Sequence, residues 1–458
     1  MKILLHLVLL LFLGSLTVSA QSIQDLIDQV NIEKLETILN EFSGEQSSSV
    51  NGNTVTILNR QQANNELAAD YLVERLSAME KLSITDQAFN TNGRNIIATQ
   101  VGTVNPESVY IVCAHYDSTA NYCADDNATG VAAVLEIARI LSTQCLENTI
   151  VYALWDEEEI GLLGSAYYAA QAAANADAIL GVLNIDMMGY DGDAVGTPGD
   201  NQFDIDYRDI AGSTAMKNDI ISVLNTYTFD LKVVEVNPGT YSSDHSSFWD
   251  QGYSALLVGE SWETNDQTPF YHSSADRVAT LDLPYFHEMV KLVLGYMVTK
   301  AELVAFENGV TSMNGLLTAT QNASNYQWIN VETNTPILGE TNQSFTPLAN
   351  GIYAVEISLG SCTEQSEPIV VDNLGVNTLS TEDIRVYPNP VNDEIRLSYS
   401  ENFESLKLKL YDVSGKLVKE ETLSNSKSRL SIKSLPKGIY FLKVVASEKS
   451  GIFKIIKE

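Results

Sequence analysis

Between about Ser22 and Ala305, short apolar runs rich in β-branched residues alternate with longer stretches whose apolar positions recur every three or four residues. The short runs, 109–114, 149–154, 180–185, 231–236 and 254–258, predict strands. The longer stretches, 65–81, 128–141, 165–174, 214–226 and 284–302, predict helices. Such alternation implies an α/β fold with a mostly parallel, mixed central sheet flanked by helices, and sites in that architecture form beyond the carboxyl ends of the strands. After residue 305 the period changes. Residues 306–372 carry short alternating runs separated by Asn, Thr and Gly turns, which predicts an immunoglobulin-like β module, and 386–458 have a similar texture. Two small β-sandwich-like domains are therefore expected, joined by a polar linker at 373–385.

The first 20 residues have a different pattern. One Lys, an apolar run from Ile3 to Leu13 and a small-residue site ending Val18, Ser19, Ala20 have the parts of a secretory signal peptide. The run is shorter than the roughly 20 residues of a membrane span, so stable membrane insertion is not expected. Residues 21–64 then form an N-terminal segment, which a propeptide reading also fits. Charge separates the parts further. The chain carries a formal −32, yet 386–458 hold 13 Lys and Arg against 9 Asp and Glu. The acidic excess lies in the preceding body, which argues against nucleic acid as a partner, since that binding needs a basic face. Four cysteines, Cys113, Cys123, Cys145 and Cys362, allow three pairings that spacing does not rank, and no CxxC pair is present to hold a thiolate metal site.

The predicted strand ends are unusually polar. The first gives "IVCAHYDS", the second "WDEEEIGLLGS", the third "LNIDMMGY"; a loop and helix start supply "ADDNATG" and a late loop "TPFYHSSAD". A single His such as His115 is ordinary in a protein core. Two His and several carboxylates gathered at one sheet edge are what a carboxylate-bridged pair of metal ions needs.

These five motifs, in this order over roughly residues 65–300, resemble the co-catalytic dizinc aminopeptidases, a family that includes secreted bacterial leucine aminopeptidases and, more distantly, glutamate carboxypeptidases and glutaminyl cyclases. The resemblance implies a zinc exopeptidase-like fold and two zinc ions per chain. His115 and Asp186 would hold one ion, Glu159 and His272 the other, and Asp126 would bridge them. Glu158 would be the general base, with the register set by Gly161 to Ser165, although four consecutive acids leave Glu157 and Glu158 as the neighbouring alternative. Tyr271 would face the developing oxyanion, and Asp117, Asp276, Asp244 and His245 would support the ligands from behind. A cis peptide after Asp126 is implied as well. The expected reaction is removal of N-terminal residues from peptides or proteins. Carboxypeptidase or glutaminyl cyclase chemistry on the same fold, and a catalytically dead surface-binding protein, are the alternatives.

The last segment, with "VYPNPVNDEIRLSY", "LKLYDVSGKLV" and "LPKGIYFLKVV", resembles the C-terminal sorting domain of the type IX secretion system. That implies the secretion machinery as a partner, and export through the periplasm to the cell surface or medium.

Overall fold

The computed structural model describes residues 22–61, 65–192, 201–313, 315–372, 377–378, 384–399, 405–424, 429–446 and 449–458. The expected signal peptide at 1–20 and most of the expected linker lie outside them. The described chain divides into two compact units, one reaching Ala305 and including Gly360–Cys362, the other formed by the remaining residues from Phe306 onward.

In the first unit a small hairpin, β1 (Ser48–Val50) and β2 (Asn53–Val55), precedes an eight-stranded mixed sheet. Its strands are β3 (Ser83–Ala88), β4 (Arg94–Gln100), β5 (Asn105–His115), β6 (Asn148–Trp155), β7 (Ile179–Ile185), β8 (Gln202–Asp206), β9 (Lys232–Val236) and β10 (Ala255–Glu260). They lie in the order β3-β4-β6-β5-β7-β10-β8-β9. The central run β6-β5-β7-β10 is parallel, as is β8 with β9, whereas β3 with β4, β4 with β6, and β8 with β10 are antiparallel. The five strands expected from sequence are all present. Three others, β3, β4 and β8, escaped that reading. The first, "SITDQA", is a largely exposed edge strand, and the last, "QFDID", buries Asp204 and Asp206 alongside its core-facing Phe203 and Ile205.

Among the described residues eight α-helices accompany the sheet: α1 (Ile23–Ile27), α2 (Ile32–Phe42), α3 (Glu66–Ser77), α4 (Gly130–Leu141), α5 (Leu163–Asn175), α6 (Ser213–Thr226), α7 (His245–Trp249) and α8 (Leu283–Ala301). Successive strand side chains point to opposite faces, and each face has its own core. On one, Val112, Ala114, Tyr152, Leu154 and Ile185 pack with residues of α1–α4, α6 and α8. On the other, Ile111, Cys113, Val151, Ala153 and Trp155 pack with Ala169 and Ala172 of α5 and Phe248 and Trp249 of α7. Burial on both sides explains why β5 and β6 read as continuous apolar runs. Local signals set the helix ends. Asp282 caps α8 by accepting the Tyr285 N–H at 3.0 Å, with Pro284 in the first turn, and Asn31 caps α2 through the Lys34 N–H at 2.9 Å. Leu26, Leu35, Leu39 and Phe42 are fully buried in the larger core, so residues 22–61 are built into this unit. A disulfide joins Cys145 to Cys362, both in this unit, while Cys113 and Cys123 are buried thiols.

The second unit consists of small sheets. Asn325–Asn330 and Gly351–Leu359 pair antiparallel around the buried Trp328. Further along, Ser405–Asp412, Leu417–Ser424, Gly438–Ala446 and Lys449–Lys457 form an antiparallel array over a core of alternating apolar residues such as Leu406, Leu408, Leu410, Leu442 and Val444. No helix among the described residues is long and apolar enough to cross a membrane.

Candidate metal centre

Parallel pairing in register places three strand ends side by side. His115 lies opposite Trp155, and Cys113 opposite Asn184, so His115 at the end of β5 stands between the acids after β6 and Asp186 after β7. The turn Ala124–Thr129, ahead of α4, brings in Asp126. Its Asp126–Asn127 peptide is cis, as the resemblance implies. His272 arrives from the loop after β10.

The side chains converge as two triads that share Asp126, His115 with Asp126 and Asp186, and His272 with Asp126 and Glu159. His115 Nε2 lies 3.3 Å from Asp126 Oδ1 and 3.3 Å from Asp186 Oδ1. His272 Nε2 lies 3.3 Å from Asp126 Oδ2 and 3.1 Å from Glu159 Oε2. Donors bonded to a tetrahedral zinc at roughly 2.0–2.2 Å stand about 3.3–3.6 Å apart, so the spacing fits one ion per triad. Buried acceptor atoms with no hydrogen-bond partner, Asp126 Oδ2 and Glu159 Oε1, point to the same fit. A third grouping, His115 with Glu158 and Glu159, places Glu158 beside both triads.

The four acids after β6 separate by environment. Asp156 is fully buried and accepts bonds from Asn65 Nδ2 at 2.5 Å, the Arg94 N–H at 2.9 Å and the Tyr116 hydroxyl at 2.9 Å. Glu157 turns away and accepts from the Asn90 amide. Glu158 and Glu159 line a cavity of about 310 Å³ together with His115, Asp126, Asp186, Tyr271 and His272. Gly164 is required below this turn, because a Cβ there would strike the Asp156 backbone.

Asp117 ties the parts together. Its carboxylate accepts the N–H groups of Glu158 and Glu159, each at 3.2 Å, and sits 3.4 Å from His115 Nδ1. Asp276 accepts the N–H groups of Asp125 and Asp126 at 2.9–3.0 Å, supporting the shared carboxylate rather than the His272 ring that its position in the sequence suggested. Asp244 is fully buried, and the field it shares with Asp186 acts on Glu158. His245 is buried with Nε2 2.9 Å from the Thr240 carbonyl, its ring edge-on to Trp249, and burial lowers it to about 4. Tyr271 stacks on His272 at 3.7 Å and lines the cavity.

Electrostatically the site is short of positive charge. Burial pushes Glu158 up to about 10, with Asp244, Asp186 and Glu159 adding to the rise against His115. Glu159 is pushed up to about 9 by burial and then by Asp126. Burial works against charge on His115, yet Asp186, Glu158, Asp117 and Asp126 raise it well above its usual value. Among the described residues no Lys or Arg lines the cavity. Bound cations would reverse this local logic.

Arg60 was invisible in the sequence reading. It is fully buried, and its guanidinium donates to the carbonyls of Tyr116, Phe42, Tyr122 and Cys123 at 2.8–3.0 Å. It thereby clamps the loop between His115 and Asp126. Arg60→Met would leave those carbonyls without donors and is expected to lower unfolding free energy in urea by at least about 3 kcal/mol.

Residues 95–297 match peptidase family M28, and residues 385–458 match the secretion system C-terminal sorting domain. Over 222 residues the chain is 32% identical to leucine aminopeptidase 1 of Trichophyton equinum, covering 45% of this chain and 58% of that protein. It is 44% identical over 105 residues to a probable zinc metalloprotease of Pyricularia oryzae, 21% of each chain. LapB from Legionella pneumophila shares the fold, with 18% identity and a TM-score of 0.52 over 61% of this chain and 74% of that one. The likeness therefore spans little more than half the length of the curated leucine aminopeptidase.

Proposed function

We propose that the chain, whose residues 95–297 match peptidase family M28 and whose residues 385–458 match a secretion system sorting domain, is a secreted aminopeptidase that holds two zinc ions and removes N-terminal residues from peptides. The observation that carries this reading is the cavity itself, where two donor triads share Asp126 and the lining carboxylates outnumber the two His side chains. An acidic wall receives the ammonium of a peptide's first residue.

In the proposed roles His115, Asp126 and Asp186 hold one ion and Asp126, Glu159 and His272 the other. When bound, zinc supplies an acidified water and polarises the scissile carbonyl. Glu158 accepts the proton of the attacking water and returns it to the leaving amine, a task for which its place beside both triads suits it. Asp117 keeps the His115 ring and the peptide of Glu158 and Glu159 in one geometry. Tyr271 offers its hydroxyl to the developing oxyanion. The sorting domain would take the enzyme across the outer membrane from the periplasm, with the type IX machinery as its partner.

Incubation of the zinc-loaded full chain with one mixed-sequence peptide, followed by mass spectrometry, tests the reading. A ladder shortened from the amino end is expected. Shortening from the carboxyl end, loss of ammonia from an N-terminal Gln, or an unchanged peptide would support the carboxypeptidase, cyclase or inactive alternative respectively.

A further inference from the structure

β8 runs antiparallel to β10, with Asp206 opposite Leu257 and Asp204 opposite Gly259. Directly paired residues share a face. Asp204, Asp206 and Leu257 therefore rise on one side of the sheet, while Phe203, Ile205, Leu256 and Val258 enter the core on the other. Gly259 adds no side chain, and a Cβ there would strike the Asp186 carbonyl. This patch of sheet forms a wall of the same cavity that holds the metal donors, faced by Met187, Trp262 and Tyr271.

The two aspartates differ. Asp204 is satisfied, accepting from the Ser261 hydroxyl at 2.7 Å and the Glu263 N–H at 3.0 Å. Asp206 is only 7% exposed. Its Oδ1 accepts the Thr240 N–H at 2.7 Å, and among the described residues no group donates to Oδ2. Arg208, two residues on, is committed elsewhere, donating to the Gly239 carbonyl and stacking on Tyr241. Burial, joined by the charges of Asp204 and Glu263, raises Asp206 to about 6 against the Thr240 N–H and the charge of Arg208, a penalty that a cationic ligand at Oδ2 would relieve.

We propose that Asp206 is a specificity residue that receives the ammonium or guanidinium of a Lys or Arg side chain at the substrate's first position. The apolar neighbours Met187 and Leu257 suit the aliphatic stem of such a side chain, and Trp262 offers an aromatic face. This assignment rests on the aminopeptidase reading above.

The test is kcat/KM of the zinc-loaded full chain on Arg, Lys and Leu 4-nitroanilides. Arg and Lys are expected to exceed Leu by roughly 10- to 100-fold, the discrimination a paired buried charge supplies. Asp206→Asn should cut the Arg-to-Leu ratio at least about tenfold and Asp206→Glu should retain most of it. A ratio within one enzyme is independent of the folded fraction. Competitive inhibition of the unaltered enzyme gives a second measure, with agmatine expected to bind more tightly than isoamylamine, the two being the decarboxylated forms of Arg and Leu. A preference of the unaltered enzyme for Leu overturns the proposal. So does an equal loss on all three substrates in Asp206→Asn, which would assign Asp206 to the α-ammonium common to them. Failure to hydrolyse any of the three, with agmatine still preferred over isoamylamine in calorimetry, would instead overturn the aminopeptidase reading and leave the cation site standing.

Discussion

Glu158→Gln is expected to leave zinc content unchanged while lowering kcat by roughly 10²- to 10⁴-fold, the usual loss when a general base is removed. The substitution keeps the size of the side chain and deletes only its capacity to accept a proton. Glu159→Gln should behave differently. Glu159 stands 3.1 Å from His272 in the triad completed by Asp126, and a neutral amide is a poorer ligand than a carboxylate, so zinc per chain should fall towards half before any effect on chemistry is read. Glu157→Gln should change neither quantity, because its carboxylate is engaged by Asn90 away from the cavity. Metal analysis and turnover at saturating substrate, measured on all three variants, assign the roles. Lost turnover in Glu157→Gln together with lost metal in Glu158→Gln would shift the assignment by one residue.

Removing the metal should cost stability in a pH-dependent way. Without zinc, Glu158 and Glu159 keep protons up to about 10 and about 9, whereas their ordinary value is 4.5. Between those limits the native state binds more protons than the unfolded chain, so the stability of the stripped protein falls as pH rises. Bound zinc would require Glu159 ionised as a ligand and, as a nearby positive charge, would favour the ionised form of Glu158, removing that slope. The gap in melting temperature between loaded and stripped enzyme should therefore widen from about pH 5 to about pH 8, reaching on the order of 10 °C when zinc is near a thousandfold above its dissociation constant. Scanning calorimetry with and without chelator reads it. A gap that stays constant with pH would mean that these acids are not neutralised by the ion.

The sheet and the convergence of site residues were legible for a physical reason. Strands buried on both faces must be apolar throughout, so the polar residues that end β5, β6 and β7 stand out against them, and parallel pairing leaves those ends on one edge. Other features depend on contacts that spacing does not record. Arg60 sits in "LNRQQ", a stretch without periodicity, and its partners are the Phe42 carbonyl upstream and three backbone carbonyls some 60 residues downstream. Asp276 follows His272 closely enough to suggest support of that ring, yet the loop turns its carboxylate to the N–H groups of Asp125 and Asp126. Asp204 and Asp206 break the apolar run of β8, the strand next to the β9 edge of the sheet, so its sequence carries no strand pattern. Their face is the cavity wall, so the misleading signal and the candidate specificity residue are the same observation.

The Cys145–Cys362 bond closes a covalent ring of chain with a sequence separation of 217 residues. Asp186, His272 and the pair Glu158 and Glu159 lie inside that ring, and His115 and Asp126 lie outside it. A protease that cuts once within the ring cannot release either piece, and the nick becomes visible on a gel only after reduction. A cut beyond Cys362 behaves in the opposite way, freeing everything that follows, including the sorting domain, while the ring stays whole. Proteolytic trimming of the carboxyl end is thus separable, by the architecture of the chain alone, from a single cut inside the ring that holds Glu158, Glu159, Asp186 and His272.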